Sequence, residues 1–65
     1  MSKLTDILYE LGDYFVTRAK KGFQVYKNLV THSVCIANIG HEGQKGLERA
    51  KDEIDRRLNV DVERA

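Results

Sequence analysis

Proline is absent from this chain, and cysteine occurs once, at position 35. A lone cysteine excludes an intramolecular disulfide and any site built from several cysteine ligands of one chain. Charge of one sign is also missing: 11 basic residues against 10 acidic ones leave a formal net charge of +1. A domain that lives on a nucleic-acid backbone usually carries a larger basic excess. No apolar run is long enough to cross a bilayer. The first residues, MSKLTDILYELGD, place acids where a signal peptide needs uninterrupted apolar sequence. The absence of low-complexity tracts argues against disorder away from the ends. These absences lead us to expect a cytoplasmic protein with no membrane partner.

What is present fits one small domain over residues 1–65. A chain of this size hides only about 60% of the surface its unfolded form exposes, which makes homo-oligomerisation a reasonable source of extra stability. Chains of this size that stand alone are common among phage and mobile-element genes.

Leu4, Ile7, Leu8 and Leu11 recur at helical spacing with Asp6 and Glu10 opposite, which predicts an N-terminal helix over about residues 3–12. Ser2 would cap it, and Gly12-Asp13 would stop it. The next segment is rich in β-branched and aromatic residues, which predicts strands over about 14–19, 23–28 and 32–39. Lys20-Lys21-Gly22 suits a three-residue hairpin loop with glycine in the left-handed conformation. That loop pairs Ala19 with Phe23, Thr17 with Val25 and Phe15 with Lys27. A second turn through Asn28 to Thr31 then sets His32 across from Lys27, Val34 across from Val25, and Ile36 across from Phe23.

Side chains alternate faces along a strand, so this register sorts the residues into two sets. A dry face collects Phe15, Ala19, Phe23, Val25, Val34 and Ile36. A mixed face collects Tyr14, Val16, Arg18, Gln24, Tyr26, Ser33, Cys35 and Ala37. Further on, Leu47, Ala50, Ile54 and Leu58 form a narrow apolar stripe, which predicts an amphipathic helix over about 46–58. Arg49–Glu53, Lys51–Asp55, Asp52–Arg56 and Glu53–Arg57 would pair on its wet side. Residues 59–65 are expected to fray. The expected fold is therefore α+β: an N-terminal helix, a three-stranded antiparallel β-meander, and a C-terminal amphipathic helix packed on the sheet. Read as helix instead, residues 14–39 would make an all-α helical hairpin that must dimerise.

The stretch IGHEGQKG, residues 39–46, raises the question of phosphate binding. It lacks both the Walker spacing and the dinucleotide-binding spacing. IGHEG and GQKG do resemble the IGxxG core of KH RNA-binding domains, in which a GXXG loop clamps nucleotide backbone. That loop lies between helices, whereas this one follows an expected strand, and Glu42 stands where phosphate would lie. The glycines are better read as punctuation, with Gly40 and Gly43 reversing the chain and Gly46 opening the helix.

His32, Cys35, His41 and Glu42 are the only residues resembling a ligand set, and they lack the close pairs that zinc sites use. A Cys–His nucleophile would also need an orienting third group and a pocket, which a single sheet-and-helix layer rarely encloses. We therefore expect no enzyme, no metal and no cofactor.

The mixed face remains. Tyr14, Val16, Arg18, Gln24 and Tyr26 are expected to form a partner-binding surface, since aromatics beside arginine are enriched at binding hot spots. The corresponding function is a protein-binding module, a small regulator or inhibitor that occupies a surface of a larger protein. The rival is DNA binding. A three-stranded meander backed by a helix is similar to AP2-type and integrase N-terminal domains, whose strands lie in the major groove. That resemblance implies phosphate contacts from Arg18, Lys20, Lys21 and Lys27, with Gln24 and Tyr26 near the bases.

Overall fold

The computed structural model describes residues 7–64. Four strands run β1 (Ile7–Leu11), β2 (Tyr14–Ala19), β3 (Gly22–Asn28) and β4 (Ser33–Ile39), and one helix follows, α1 (Gly43–Arg64). The strands form an antiparallel meander in sequence order, with β1 and β4 at the edges. The fold is α+β, as expected, with four strands rather than three and α1 packed across one face.

The N-terminal helix is the first correction. Residues 7–11 are a strand, and Gly12-Asp13 is a hairpin loop rather than a helix stop. Gly12 has φ 63°, the geometry of a turn with glycine at its first central position, whose twist matches that of the flanking strands. Over five residues, helical spacing and strand alternation look alike. Pairing with β2 decides between them. The expected cap Ser2, the start of the helix and Leu4 lie outside the described residues.

The second correction is register. Lys20-Lys21 alone forms the β2–β3 loop, so Ala19 pairs with Gly22, Val16 with Val25, and Phe15 with Tyr26. This is a one-residue slip from the expected pairing, and a slip of one exchanges the faces of a strand. Gly22 is a glycine because of tertiary packing. At φ 142°, a Cβ built on it would lie 2.0 Å from the Ile39 carbonyl oxygen.

Across β3 and β4, Val34 stands opposite Lys27, Ala37 opposite Val25, and Ile39 opposite Phe23. The expected Val34–Val25, Ile36–Phe23 and His32–Lys27 pairs do not form. The loop runs from Leu29 to His32, closed by the Leu29 amide donating to the His32 carbonyl at 2.7 Å. The register also shifts between the pairs at Val25 and Tyr26. The extra residue of this bulge lets both Ile36 and Ala37 pack on the α1 side.

The core lies between β2, β3 and α1. Tyr14, Val16, Phe23, Val25, Ala50 and Ile54 are buried, and Leu47 and Leu58 of the expected stripe pack against them. α1 is longer than expected at both ends, and residues 59–64, expected to fray, are helical. Asp61 is one reason. Its carboxylate accepts a hydrogen bond from the Tyr14 hydroxyl at 2.9 Å, nearly one helical turn beyond Leu58.

At the helix start, Gly46 sits so close to its neighbours that a Cβ there would lie 1.9 Å from the His41 carbonyl oxygen and 2.7 Å from the Phe23 ring. Gly40 has open space where its Cβ would be, and its φ is not positive. Gly40 does stand where the chain leaves β4, but nothing in its backbone or surroundings requires glycine, whereas Gly43 has φ 74°.

Candidate functional site

The slip in register divides the expected binding residues between two faces. Tyr14 and Val16 turn toward α1 and are buried, 4% and 0% exposed. Arg18, opposite Phe23, lies on the same side at the rim, its guanidinium 5.8 Å from the Phe23 ring centre. Gln24 and Tyr26 lie on the far face, away from α1. The structure thus brings together Gln24 and Tyr26, and separately Tyr14, Val16 and Arg18, but not all five.

The far face contains residues the expected register had placed elsewhere. Phe15 and Tyr26, opposite one another on β2 and β3, stack with ring centroids 5.3 Å apart and planes 9° from parallel. Such offset or stacked pairs contribute about 0.5–1.5 kcal/mol beyond area burial. The Tyr26 hydroxyl donates to Gln24 Oε1 at 3.2 Å, and Gln24 Nε2 donates to Asn38 Oδ1 at 2.9 Å. These bonds hold a polar row across β3 and β4. Thr17, opposite Gln24, is buried, whereas Glu10, Cys35 and Asn38 are exposed. Among the described strand residues no lysine or arginine falls on this face. Phe15 escaped sequence reasoning because Tyr14, Phe15 and Val16 are all apolar, so alternation could not tell which of them points inward.

The four basic residues also separate. Lys20 and Lys21 form the exposed β2–β3 loop, next to Arg18. A cleft of about 260 Å³ lies there, lined by Arg18, Lys20, Phe23, Glu42 and Gly43 among others. Lys27 stands at the opposite end of the same hairpin. Its ammonium is 5.3 Å from the Tyr14 ring centre and 3.9 Å from the Asp61 carboxylate. An open groove of about 340 Å³ beside it is lined by Tyr14, Arg56, Arg57, Val60 and Asp61.

Of the four charge pairs expected along the helix, Glu53–Arg57 forms at 2.6 Å, and Glu53 also meets Arg56 at 2.5 Å. Burial by itself raises the Glu53 carboxyl. Hydrogen bonds and charge from Arg57 and Arg56 outweigh that and hold it below its ordinary value.

His32 lies in the β3–β4 loop, its Nδ1 2.8 Å from the Thr31 hydroxyl. Cys35 is an exposed residue of β4, and His41 and Glu42 follow the far end of that strand. Among the described residues no three His, Cys, Asp or Glu side chains gather as a metal site. No described helix is long and apolar enough to cross a membrane. The stretch resembling a KH loop follows a strand, and its second half, GQKG, is the first turn of α1. Comparison with protein-family models, with curated proteins and with solved structures finds no match for this chain.

Proposed function

We propose that this chain is a non-enzymatic protein-binding module, a small regulator or inhibitor that occupies a surface of a larger protein through the far face of its sheet. The observation that supports this most is the Tyr26 side chain. It is half-buried, stacked on the buried Phe15, and tied through its hydroxyl to the Gln24–Asn38 row. Tyrosine supplies much contact area for few rotatable bonds, and a ring already held in place loses less freedom on binding. The binding residues of this reading are Gln24, Tyr26 and Asn38. Tyr14 and Val16 serve the core.

DNA binding through the sheet fits less well. The far face carries Glu10 and no base among its described strand residues. Lys27 is occupied by Asp61 at the other end of the hairpin from Lys20 and Lys21. A nucleic-acid reading is left with Arg18, Lys20 and Lys21 at the turn.

The test is affinity capture from the native host with wild-type protein, Tyr26→Ala, and the double change Lys20→Gln/Lys21→Gln, each checked for folding by circular dichroism. We expect a protein partner to be lost with Tyr26→Ala and retained by the lysine double variant, with a shallow salt response. Duplex DNA retained at physiological salt and lost with the lysine changes would overturn the reading. Phosphate-driven binding must weaken with a log–log slope of about −0.9 per neutralised phosphate.

A further inference from the structure

The sheet ends on an edge that lacks the usual protections. β4 has β3 on one side and no described strand on the other. The direction of its backbone groups follows from a single bond. The Asn28 amide donates to the Asp13 carbonyl at 2.7 Å, toward β2. Asn28 therefore does not exchange amide bonds with Ser33, its partner on β4. In an antiparallel ladder, the residue opposite such a position turns its own N–H and C=O away from the pair. Ser33, and Cys35 two residues on and still before the bulge, thus direct their backbone groups outward. Natural edge strands are usually guarded by lysine, proline or inward-pointing charge. SVCIANI contains no charged residue, no proline and no glycine, and its one guard is the bulge at Ile36 and Ala37. The opposite edge, β1, is shorter and carries Glu10.

We propose that the outer edge of β4 pairs antiparallel with β4 of a second copy of this chain. The occupant follows from charge and symmetry. A two-fold axis normal to the sheet lays β4 against itself, an isologous contact. Because β4 is uncharged along its length, that contact sets no like charges against each other. The same operation leaves both helices on one side. It also brings together the partly covered apolar residues of the two edges: Val34, 38% exposed, and the half-buried Ile36 and Ile39. A chain of 65 residues with one helix covering one sheet face gains from extending sheet and core at once.

Sedimentation equilibrium of the full chain under reducing conditions tests this, from micromolar to millimolar concentration. Wild type and Cys35→Ser are expected to show a reversible monomer–dimer equilibrium, with no dependence on a disulfide. Cys35→Pro removes an outward N–H without removing a bond to β3, and Cys35→Lys places two like charges at the seam. Both are expected to raise the dimer dissociation constant tenfold or more while the circular dichroism spectrum stays native. Glu10→Lys on the other edge is expected to leave the equilibrium unchanged. If Cys35→Pro unfolds the chain, Cys35→Lys alone decides. A wild type that is monomeric throughout, or a dimer that survives Cys35→Lys, would overturn the proposal.

Discussion

The two faces of the β2–β3 hairpin are made from alternate residues of the same strands, yet they differ in kind. Toward α1, Val16 and Val25 stand opposite each other, fully buried with Tyr14, Phe23 and Ile54. One residue away, Thr17 and Gln24 stand opposite each other, with the Phe15–Tyr26 stack beside them and Asn38 hydrogen-bonded to Gln24. The first face is held by apolar burial and tolerates no charge. The second is buried along β2, where Phe15 and Thr17 are 2% and 6% exposed, and opens to solvent toward β3 and β4, where Tyr26, Gln24 and Asn38 are tied by hydrogen bonds. Residues one position apart in β3 thus sit in different surroundings, Val25 in the dry layer under α1 and Gln24 half-buried in a polar row, so substitutions at the two should give different outcomes.

The largest effect is expected from Val25→Asp. An isolated carboxylate in the dry layer has no partner, and the desolvation cost exceeds what so small a domain can lose. The variant should show no cooperative melt. If Gln24→Asp is equally damaging, the division between the faces is wrong.

The glycines carry the comparison to the helix entrance. Gly46→Ala places a Cβ into the His41 carbonyl and the Phe23 ring. Overpacking of this kind costs about 1–3 kcal/mol, visible as a lowered melting temperature. Gly40→Ala meets open space and should stay within about 0.5 kcal/mol of wild type.

Tyr14→Phe removes the hydrogen bond to Asp61 and leaves the ring in the core. The expected loss is about 0.5–1.5 kcal/mol in denaturant melts. A larger loss would mean that the last turns of α1 depend on this bond more than on packing at Leu58.

Acid should act through Glu53. Its carboxyl is held below the ordinary value of 4.5 in the folded protein, so the unfolded chain binds the proton more readily. The stability it contributes is present above the unfolded value and is lost as pH falls through the folded one. Glu53→Gln should remove that part of the acid sensitivity with a modest cost at neutral pH, because solvent screens the exposed Arg56 and in part Arg57. Gln24→Asp on the far face is also expected to be mild, about 1 kcal/mol or less.

Much of this architecture was legible from residue order alone. Leu47, Ala50, Ile54 and Leu58 keep helical spacing over three turns, long enough that no strand pattern competes, and all four pack as that stripe requires. The density of β-branched and aromatic residues between positions 14 and 39 placed β2, β3 and β4 to within a residue at each end. Local chemistry suffices where a pattern is long or a composition is biased.

Only the tertiary structure decided the rest. Ile7–Leu11 satisfies helical spacing and strand alternation equally, and it becomes a strand because β2 offers an edge to pair with. Tyr14, Phe15 and Val16 are all apolar, so their faces depend on whether the Lys20 loop has two residues or three. That choice depends in turn on Gly22 yielding space to the Ile39 carbonyl, a neighbour 17 positions along the chain. The candidate surface inherits the same uncertainty of register, since one step exchanges Tyr14 and Val16 for Phe15 and Thr17. A strand's alternation says that its two faces differ. Which face is which is settled by what packs against it.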